Sequence, residues 1–158
     1  MKLKYILLFP VLAVLVGCGA GKATQGAKSR LLEVDKEQVW QLVAIQGKDI
    51  SKGGARQKSA EEVLLMFHPE SGTVRGRVAC NRYFADYKLT SGQLSVEGTR
   101  YDFNVDYISG GDVQCPEGDM ALQERYLSLL NRADACLLTP YVLTIFQKDK
   151  EILRFELK

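Results

Sequence analysis

Residues 72–89 read GTVRGRVACNRYFADYKL and hold a turn, two strand-like runs and a Cys-Asn pair. In the first run, small apolar residues alternate with other residues that include Arg75 and Arg77. A period of two is typical of a β-strand with one face toward a core, and it predicts that Cys80 points inward. Asn81 comes next, and its short amide side chain bonds nearby backbone easily. We therefore interpret Cys80-Asn81 as a corner between two strands.

The second run predicts another strand. The period of two resumes there with Tyr83, Ala85, Tyr87 and Leu89. Residues 90–93 (TSGQ) have the composition of a hairpin turn, and Leu94 and Val96 then begin a further strand. Residues 101–107 alternate most regularly, which predicts one aromatic face and one oxygen-rich face.

The rest of the chain adds more strands and one helix. Strand-like composition recurs at 39–45, 63–67, 135–138, 142–146 and 152–157. Apolar residues spaced by three and four predict a helix over 119–132, with Asp119 as a possible cap. The pattern indicates a mainly β, α+β fold. We expect an antiparallel curled sheet or small partly open barrel covered by one α-helix.

Composition and charge limit the class of protein. The chain has 158 residues, 46% hydrophobic and 25% charged, which suits one globular domain. Lys2 and Lys4 lie in a first stretch of seventeen residues without acids, and the remaining 19 Lys and Arg balance the 19 Asp and Glu. A balanced domain argues against a broad nucleic-acid surface.

The N-terminus resembles a bacterial lipoprotein signal peptide. Two lysines precede an apolar run that is shorter than the roughly 20 residues a membrane-spanning helix needs, and Leu15-Val16-Gly17 precede Cys18. The resemblance implies a signal peptide at 1–17, then a lipidated Cys18 and flexible tether over 18–36, then a domain over 37–158. It implies diacylglyceryl and acyl chains such as palmitate on Cys18. Because Gly19 and not Asp follows, it also implies the periplasmic face of the outer membrane.

The domain resembles the META domain family, which includes the HslJ-like lipoproteins. The matching pieces are Trp40-x-Leu42, Gly47, Phe67, Gly72, Gly76, Cys80-Asn81, Tyr83, Leu94, Cys115, Leu143-Thr144-Ile145 and Leu153-Arg154-Phe155. Ala79 stands where the family usually has Gly, and a longer insertion ends at Cys115. The resemblance implies a small β-rich fold with a packed helix, roles in envelope stress, antibiotic tolerance or secretion, and no established reaction.

Three cysteines remain after Cys18, an odd number for an exported protein. The resemblance implies a disulfide between Cys80 and Cys115, which both occupy motif positions. Cys136 lies within a strand-like run, and we expect it to be a buried small hydrophobe.

Candidates for catalysis or metal binding are weak. Asp102-x-Asn104-x-Asp106 resembles the start of a calcium loop, but the later Gly and Glu of that motif are missing, so we interpret it as a half-buried strand. His68 is the only His, and we interpret it as a surface residue. We expect no catalytic residue, no metal and no cofactor.

The sequence therefore predicts a non-enzymatic envelope lipoprotein that acts as an interaction or stress-protective module. Its possible contact face comprises Arg75, Arg77, Arg82, Tyr83 and Tyr87. The partner would be an unidentified envelope protein, and the lipid anchor would hold this protein at the membrane. Two alternatives stay open: a carrier of a small apolar ligand in a barrel interior, and an inhibitor or chaperone of exported proteins.

Overall fold

The computed structural model describes residues 38–50, 63–90 and 92–158, which form ten strands and one helix. The strands are β1 (Val39–Ile45), β2 (Lys48–Asp49), β3 (Leu64–His68), β4 (Thr73–Val78), β5 (Asn81–Leu89), β6 (Gln93–Leu94), β7 (Thr99–Gly110), β8 (Ala135–Leu138), β9 (Val142–Gln147) and β10 (Lys150–Leu157). Helix α1 (Glu117–Leu130) lies between β7 and β8. The mainly β class with one helix is confirmed. The predicted signal peptide and tether lie outside the described residues.

Eight of these strands close into an antiparallel barrel. Their order is β1-β3-β4-β5-β7-β8-β9-β10, and β10 pairs back onto β1, with Trp40 opposite Leu157. The predicted antiparallel curled sheet or small partly open barrel is thus confirmed in its general form, with the difference that the barrel is closed. Closure pairs the two strands that would otherwise be open edges of the sheet. The two-residue strands β2 and β6 add to β1 and β7 at the rim.

The barrel interior is filled by side chains of alternating strand residues. The predicted inward residues Leu65, Phe67, Val74 and Val78 are all buried. Large fully buried side chains come from β1, β3, β7, β9, β10 and the helix: Trp40, Leu42, Leu65, Phe103, Tyr126, Leu129, Leu130, Leu143, Ile145, Leu153 and Phe155. Because these side chains fill the interior, the barrel encloses a packed core.

The hairpin predicted after β5 is wrong. β5 pairs with β7, so that Leu89 lies opposite Phe103, and the short β6 pairs with the start of β7. Leu94 is 84% exposed and Val96 is fully exposed, because neither lies on the inner face of the barrel. The ladder position beside β5 is already occupied by the long strand β7, which leaves β6 outside the main order of the barrel.

A bulge interrupts the alternation of β7. Tyr101, Phe103 and Val105 point inward as predicted, but Tyr107 is 84% exposed. The register with β5 shifts here, and Tyr107 has a φ of 53°. A left-handed residue in a strand turns its side chain to the other face, so the aromatic row ends one residue early.

Helix α1 covers one end of the barrel, called the helix end below. The helix begins and ends two residues earlier than the predicted span of 119–132. Pro116 rather than Asp119 occupies the N-cap position, and no side-chain hydrogen bond caps the helix there. Tyr126, Leu129 and Leu130 are its buried residues. The Tyr126 ring contacts the rings of Tyr83 and Phe155, which belong to the barrel wall.

A buried hydroxyl pair joins the helix to the wall. The Tyr83 hydroxyl donates to the carbonyl oxygen of Leu64 at 3.1 Å, and it lies 2.6 Å from the Tyr126 hydroxyl. Since the single Tyr83 proton goes to Leu64, Tyr126 donates to Tyr83. Burial raises the pKa of both tyrosines above the ordinary value of 10.0, and the proximity of Tyr83 raises that of Tyr126 further.

Gly76 gives Tyr83 its place. The two residues lie opposite each other in the β4–β5 ladder. A Cβ on Gly76 would collide with the Leu64 carbonyl oxygen and with the Tyr83 ring and hydroxyl. The absent side chain therefore creates the space that the aromatic ring occupies.

We expect Gly76→Ala to lower the free energy of unfolding by about 2–3 kcal/mol, because the new methyl overpacks a rigid backbone contact. Urea denaturation measures this change. Gly118→Ala is the matched control: its Cβ meets nothing within 4 Å, and we expect it to stabilise helix α1 by about 0.5–1 kcal/mol. Equal effects of the two variants would contradict the close approach at Gly76.

We expect stability to fall in alkali. Both buried tyrosines have raised pKa values in the folded state, so their contribution is complete below the unfolded pKa of about 10 and is lost as pH rises above it. Each contributes up to about 1.4 kcal/mol per pH unit there. Urea midpoints between about pH 8 and pH 11 measure the slope, which Tyr126→Phe should reduce. The same slope in both proteins would contradict the buried pair.

Candidate interaction site

The corner between β4 and β5 carries the disulfide. Ala79 and Cys80 form a two-residue turn, and Cys80 is exposed, so the predicted inward Cys80 is wrong. The strand ends at Val78, and Ala79 has a φ of 52°, which takes the next residue off the ladder. Cys80 forms a disulfide with Cys115, at a Cα–Cα distance of 5.8 Å. The pairing implied by the family resemblance is confirmed.

Asn81 takes the inward position that was predicted for Cys80. It is only 2% exposed, and its amide bonds both backbone groups of Val113 in the loop before helix α1. Its Oδ1 accepts from the Val113 N–H at 3.1 Å, and its Nδ2 donates to the Val113 carbonyl oxygen at 2.9 Å. Nδ2 also donates to Gln123 Oε1 on the helix at 2.8 Å. Asn81 and the adjacent disulfide thus fasten the loop and helix to the wall.

Sequence reasoning had missed this role of Asn81. The only signal was an amide beside a cysteine at a corner, and an amide carries both a donor and an acceptor for backbone. Gly111 completes the arrangement: its N–H donates to the Arg82 carbonyl oxygen at 2.9 Å, and a Cβ there would lie 2.6 Å from Asn81 Oδ1.

The outer face of the β4–β5 hairpin is rich in arginine. Arg75, Arg77 and Arg82 are all exposed there. Arg77 lies directly opposite Arg82, and Arg75 lies opposite Phe84. Like charges on directly opposed residues of an antiparallel pair repel each other. The exposure of these three arginines agrees with the outer face that the sequence predicted for them.

The two predicted tyrosines do not share this face. Tyr83 is 3% exposed and bonds Tyr126 inside the barrel. Tyr87 is half-buried, and its ring contacts the rings of Phe67 and Phe103. Their positions in the alternating pattern put them on the inner side, opposite to the arginines. The predicted contact face is wrong in these two members.

A groove of about 810 Å³ lies on this outer face, and we call it the arginine groove. Its floor spans β3, β4, β5 and β7, where Met66, Arg75, Phe84 and Ser109 are successive ladder partners. Its lining residues are Met66, Thr73, Arg75, Gly76, Arg82, Tyr83, Phe84, Ser109, Gly110 and Gly111. Phe84 is 55% exposed, which is unusual for a large aromatic residue in mid-strand. Phe84 is an apolar residue at an outward position of the strand pattern, and the predicted contact face omitted it.

The two arginines that line the groove lack side-chain partners within the described part of the chain. Neither Arg75 nor Arg82 makes a side-chain hydrogen bond or an ion pair there. The ion pairs of Lys88 with Asp106 and of Arg100 with Asp149 lie outside the groove. The groove therefore presents positive charge beside an apolar ring.

The other candidate residues are distributed separately. Among residues 38–50, 63–90 and 92–158, no group of three His, Cys, Asp or Glu side chains is placed to hold a metal. Asp102 accepts a hydrogen bond from Thr90 Oγ1 at 2.9 Å, and Asp106 pairs with Lys88. Cys136 is a free, buried thiol as expected, and burial raises its pKa to about 12. Cys18 lies outside the described residues.

Comparison with known proteins agrees with this geometry. The sequence profile of the META domain matches residues 32–158. The chain belongs to the META domain family. The resemblance inferred from the motifs is thus confirmed, and it covers the whole described barrel.

The META barrel is also similar to a solved structure, described as the NMR structure of the protein from Burkholderia xenovorans. The TM-score is 0.56 at 19% identity, over 77% of this chain and 81% of that one. This likeness supports the fold alone. None of the curated proteins compared matches the chain. In the part of the META protein that the structure describes, no helix has the length and apolar character needed to cross a membrane.

We expect Asn81→Ala to destabilise the META domain by about 2–3 kcal/mol, because three hydrogen bonds of about 1 kcal/mol each are lost. Urea denaturation measures the loss, and hydrogen exchange at the Val113 amide locates it. Asn104→Ala, at an exposed position of β7, should change stability by less than about 0.5 kcal/mol. Unchanged exchange at Val113 in Asn81→Ala would contradict the role given to Asn81.

Proposed function

We propose that this META-domain protein is a non-enzymatic lipoprotein of the bacterial envelope that works as an interaction or stress-protective module. Cys18 would carry the lipid and hold the domain at the periplasmic face of the outer membrane. The lipoprotein-like signal sequence, with Leu15-Val16-Gly17 before Cys18, and the META family membership support this proposal. The balanced charge of the rest of the chain suits a protein partner better than a nucleic acid.

The filled interior is the observation that carries the proposal. A barrel of eight strands has just enough room for its own side chains or for one small ligand. Here Trp40, Phe103 and Phe155 are buried inside it, and Tyr126 closes the helix end. A barrel whose interior is occupied by its own core offers its outer surface for function. This argues against the small-ligand carrier.

An inhibitor or chaperone of exported proteins remains the second candidate. Such proteins hold clients on exposed apolar surface. The large exposed apolar residues of the described chain lie on several separate elements: Phe84, Leu94, Val96, Tyr107, Val113 and Tyr141. Phe84 is the member that lies in a groove, beside charged residues.

Crosslinking in intact cells tests the proposal. A photoreactive amino acid replaces Ser109 at the groove, or Glu156 on the opposite wall as the control position. Both are made in the lipidated protein and in its Cys18→Ala form, and adducts are identified by mass spectrometry before and after mild heating. We expect one dominant adduct, formed from position 109 and lost in the Cys18→Ala form.

Other outcomes decide against the proposal. Many adducts that increase with heat would favour a chaperone. The same adducts from both positions would contradict a specific contact surface. No adduct in any condition would overturn the interaction proposal. Equal membrane recovery of the lipidated and Cys18→Ala forms would overturn the anchor.

A further inference from the structure

We propose that the arginine groove binds an extended, acidic segment of a partner protein that carries an apolar side chain two residues from a carboxylate. This inference rests on the proposed function, because it names the partner of that interaction module. It deepens the proposal by committing to one surface and one ligand chemistry.

Electrostatics favour an anionic ligand. Arg75 lies opposite Phe84 on the β4–β5 ladder, and Arg82 is two residues from Phe84 on β5, so the two arginines are diagonal neighbours on the outer face. Neighbouring like charges repel each other, and Arg75 and Arg82 have no counter-ion among the described residues. A carboxylate bound between guanidinium groups removes this repulsion and gains charge-assisted, often bidentate hydrogen bonds. The groove is therefore suited to carboxylates.

The groove also favours an apolar contact. Phe84 follows Arg82 by two residues on β5, so both side chains lie on the outer face. Met66 lies on the same row of ladder partners, beyond Arg75. Gly110 and Gly111 line one side of the groove. An aromatic ring at a positive surface is a common anchor of protein interfaces.

The spacing of these groups matches an extended chain. Side chains on one face of a strand recur every second residue, at roughly 6.6–6.8 Å. Arg75 and Arg77 have this spacing on β4, as do Arg82 and Phe84 on β5. A peptide laid along the strands presents its own alternate side chains at the same interval. A carboxylate over Arg82 then places the residue two positions away over Phe84.

The shape of the site argues for a peptide over a membrane. The groove is a concave feature in the side wall, and its volume of about 810 Å³ falls within the range of ligand pockets. A planar bilayer contacts protruding surfaces, whereas an extended segment enters a groove. A single anionic lipid headgroup or free phosphate shares the carboxylate's charge, and the experiment separates these sources.

Selection from a library of random heptapeptides displayed on phage tests the inference. The bait is the full chain with Cys18→Ala, purified and immobilised. We expect enrichment of peptides in which Asp or Glu lies two residues from Leu, Ile or Phe. A synthetic copy of the most enriched peptide should lose about tenfold or more in affinity for the Arg75→Gln/Arg82→Gln variant, since charge-assisted hydrogen bonds are lost.

Matched variants make the result specific. Arg132→Gln changes an exposed arginine outside the groove and should leave the peptide affinity unchanged. Phe84→Ser should lower affinity for the apolar-containing peptide and leave a Ser-substituted peptide unaffected. Urea denaturation of each variant verifies that it is folded. The Arg75→Gln/Arg82→Gln and Phe84→Ser variants test the charged and the apolar contact separately, because they remove different side chains.

Three results would overturn the inference. The first is selection without enrichment of acidic peptides, and the second is equal affinity for wild type and Arg75→Gln/Arg82→Gln. The third is arginine-dependent binding to vesicles with roughly 30% phosphatidylglycerol, or to inorganic phosphate, with no peptide enriched. Each leaves the crosslinking test of the proposed function intact, because that test uses lipidated protein in cells and names no ligand chemistry.

Discussion

The pairing of the last strand with the first is the constraint on which the rest of this structure depends. It brings Trp40 opposite Leu157, at nearly opposite ends of the domain, and turns a sheet with two open edges into a barrel. Closure then forces every alternating inward residue into one shared space, which large side chains fill. With the interior occupied, only the outer wall and the ends of the barrel are available to other molecules.

The helix end depends on a few polar contacts placed close to the core. The Tyr83–Tyr126 hydroxyl pair lies inside, and Asn81 binds the backbone of the loop next to it. Gly76 and Gly111 make room for these groups, since a Cβ at either position would collide with them. The disulfide at Cys80 secures the same loop from outside. Packing, hydrogen bonds and a covalent bond therefore act on one short segment of β5.

The arginine groove lies directly behind this segment. Inward residues of β5 anchor the helix, while the outward residues Arg82 and Phe84 line the groove. Alternation along a strand lets one stretch serve both purposes without competition between them. Arg75 and Arg82, which have no counter-ion among the described residues, and the exposed Phe84 ring suit a surface used for binding.

The sequence by itself determined most strand positions, the helix and the outward direction of the arginines, because periods of two and of three to four reflect local backbone geometry. The motif order was enough to predict the family and the Cys80–Cys115 pair. Only the tertiary structure decided that β10 closes on β1, that β7 lies beside β5, and that Phe84 joins the arginines in a groove. These depend on contacts between residues far apart in the chain, and no local pattern encodes which strand becomes the neighbour of another.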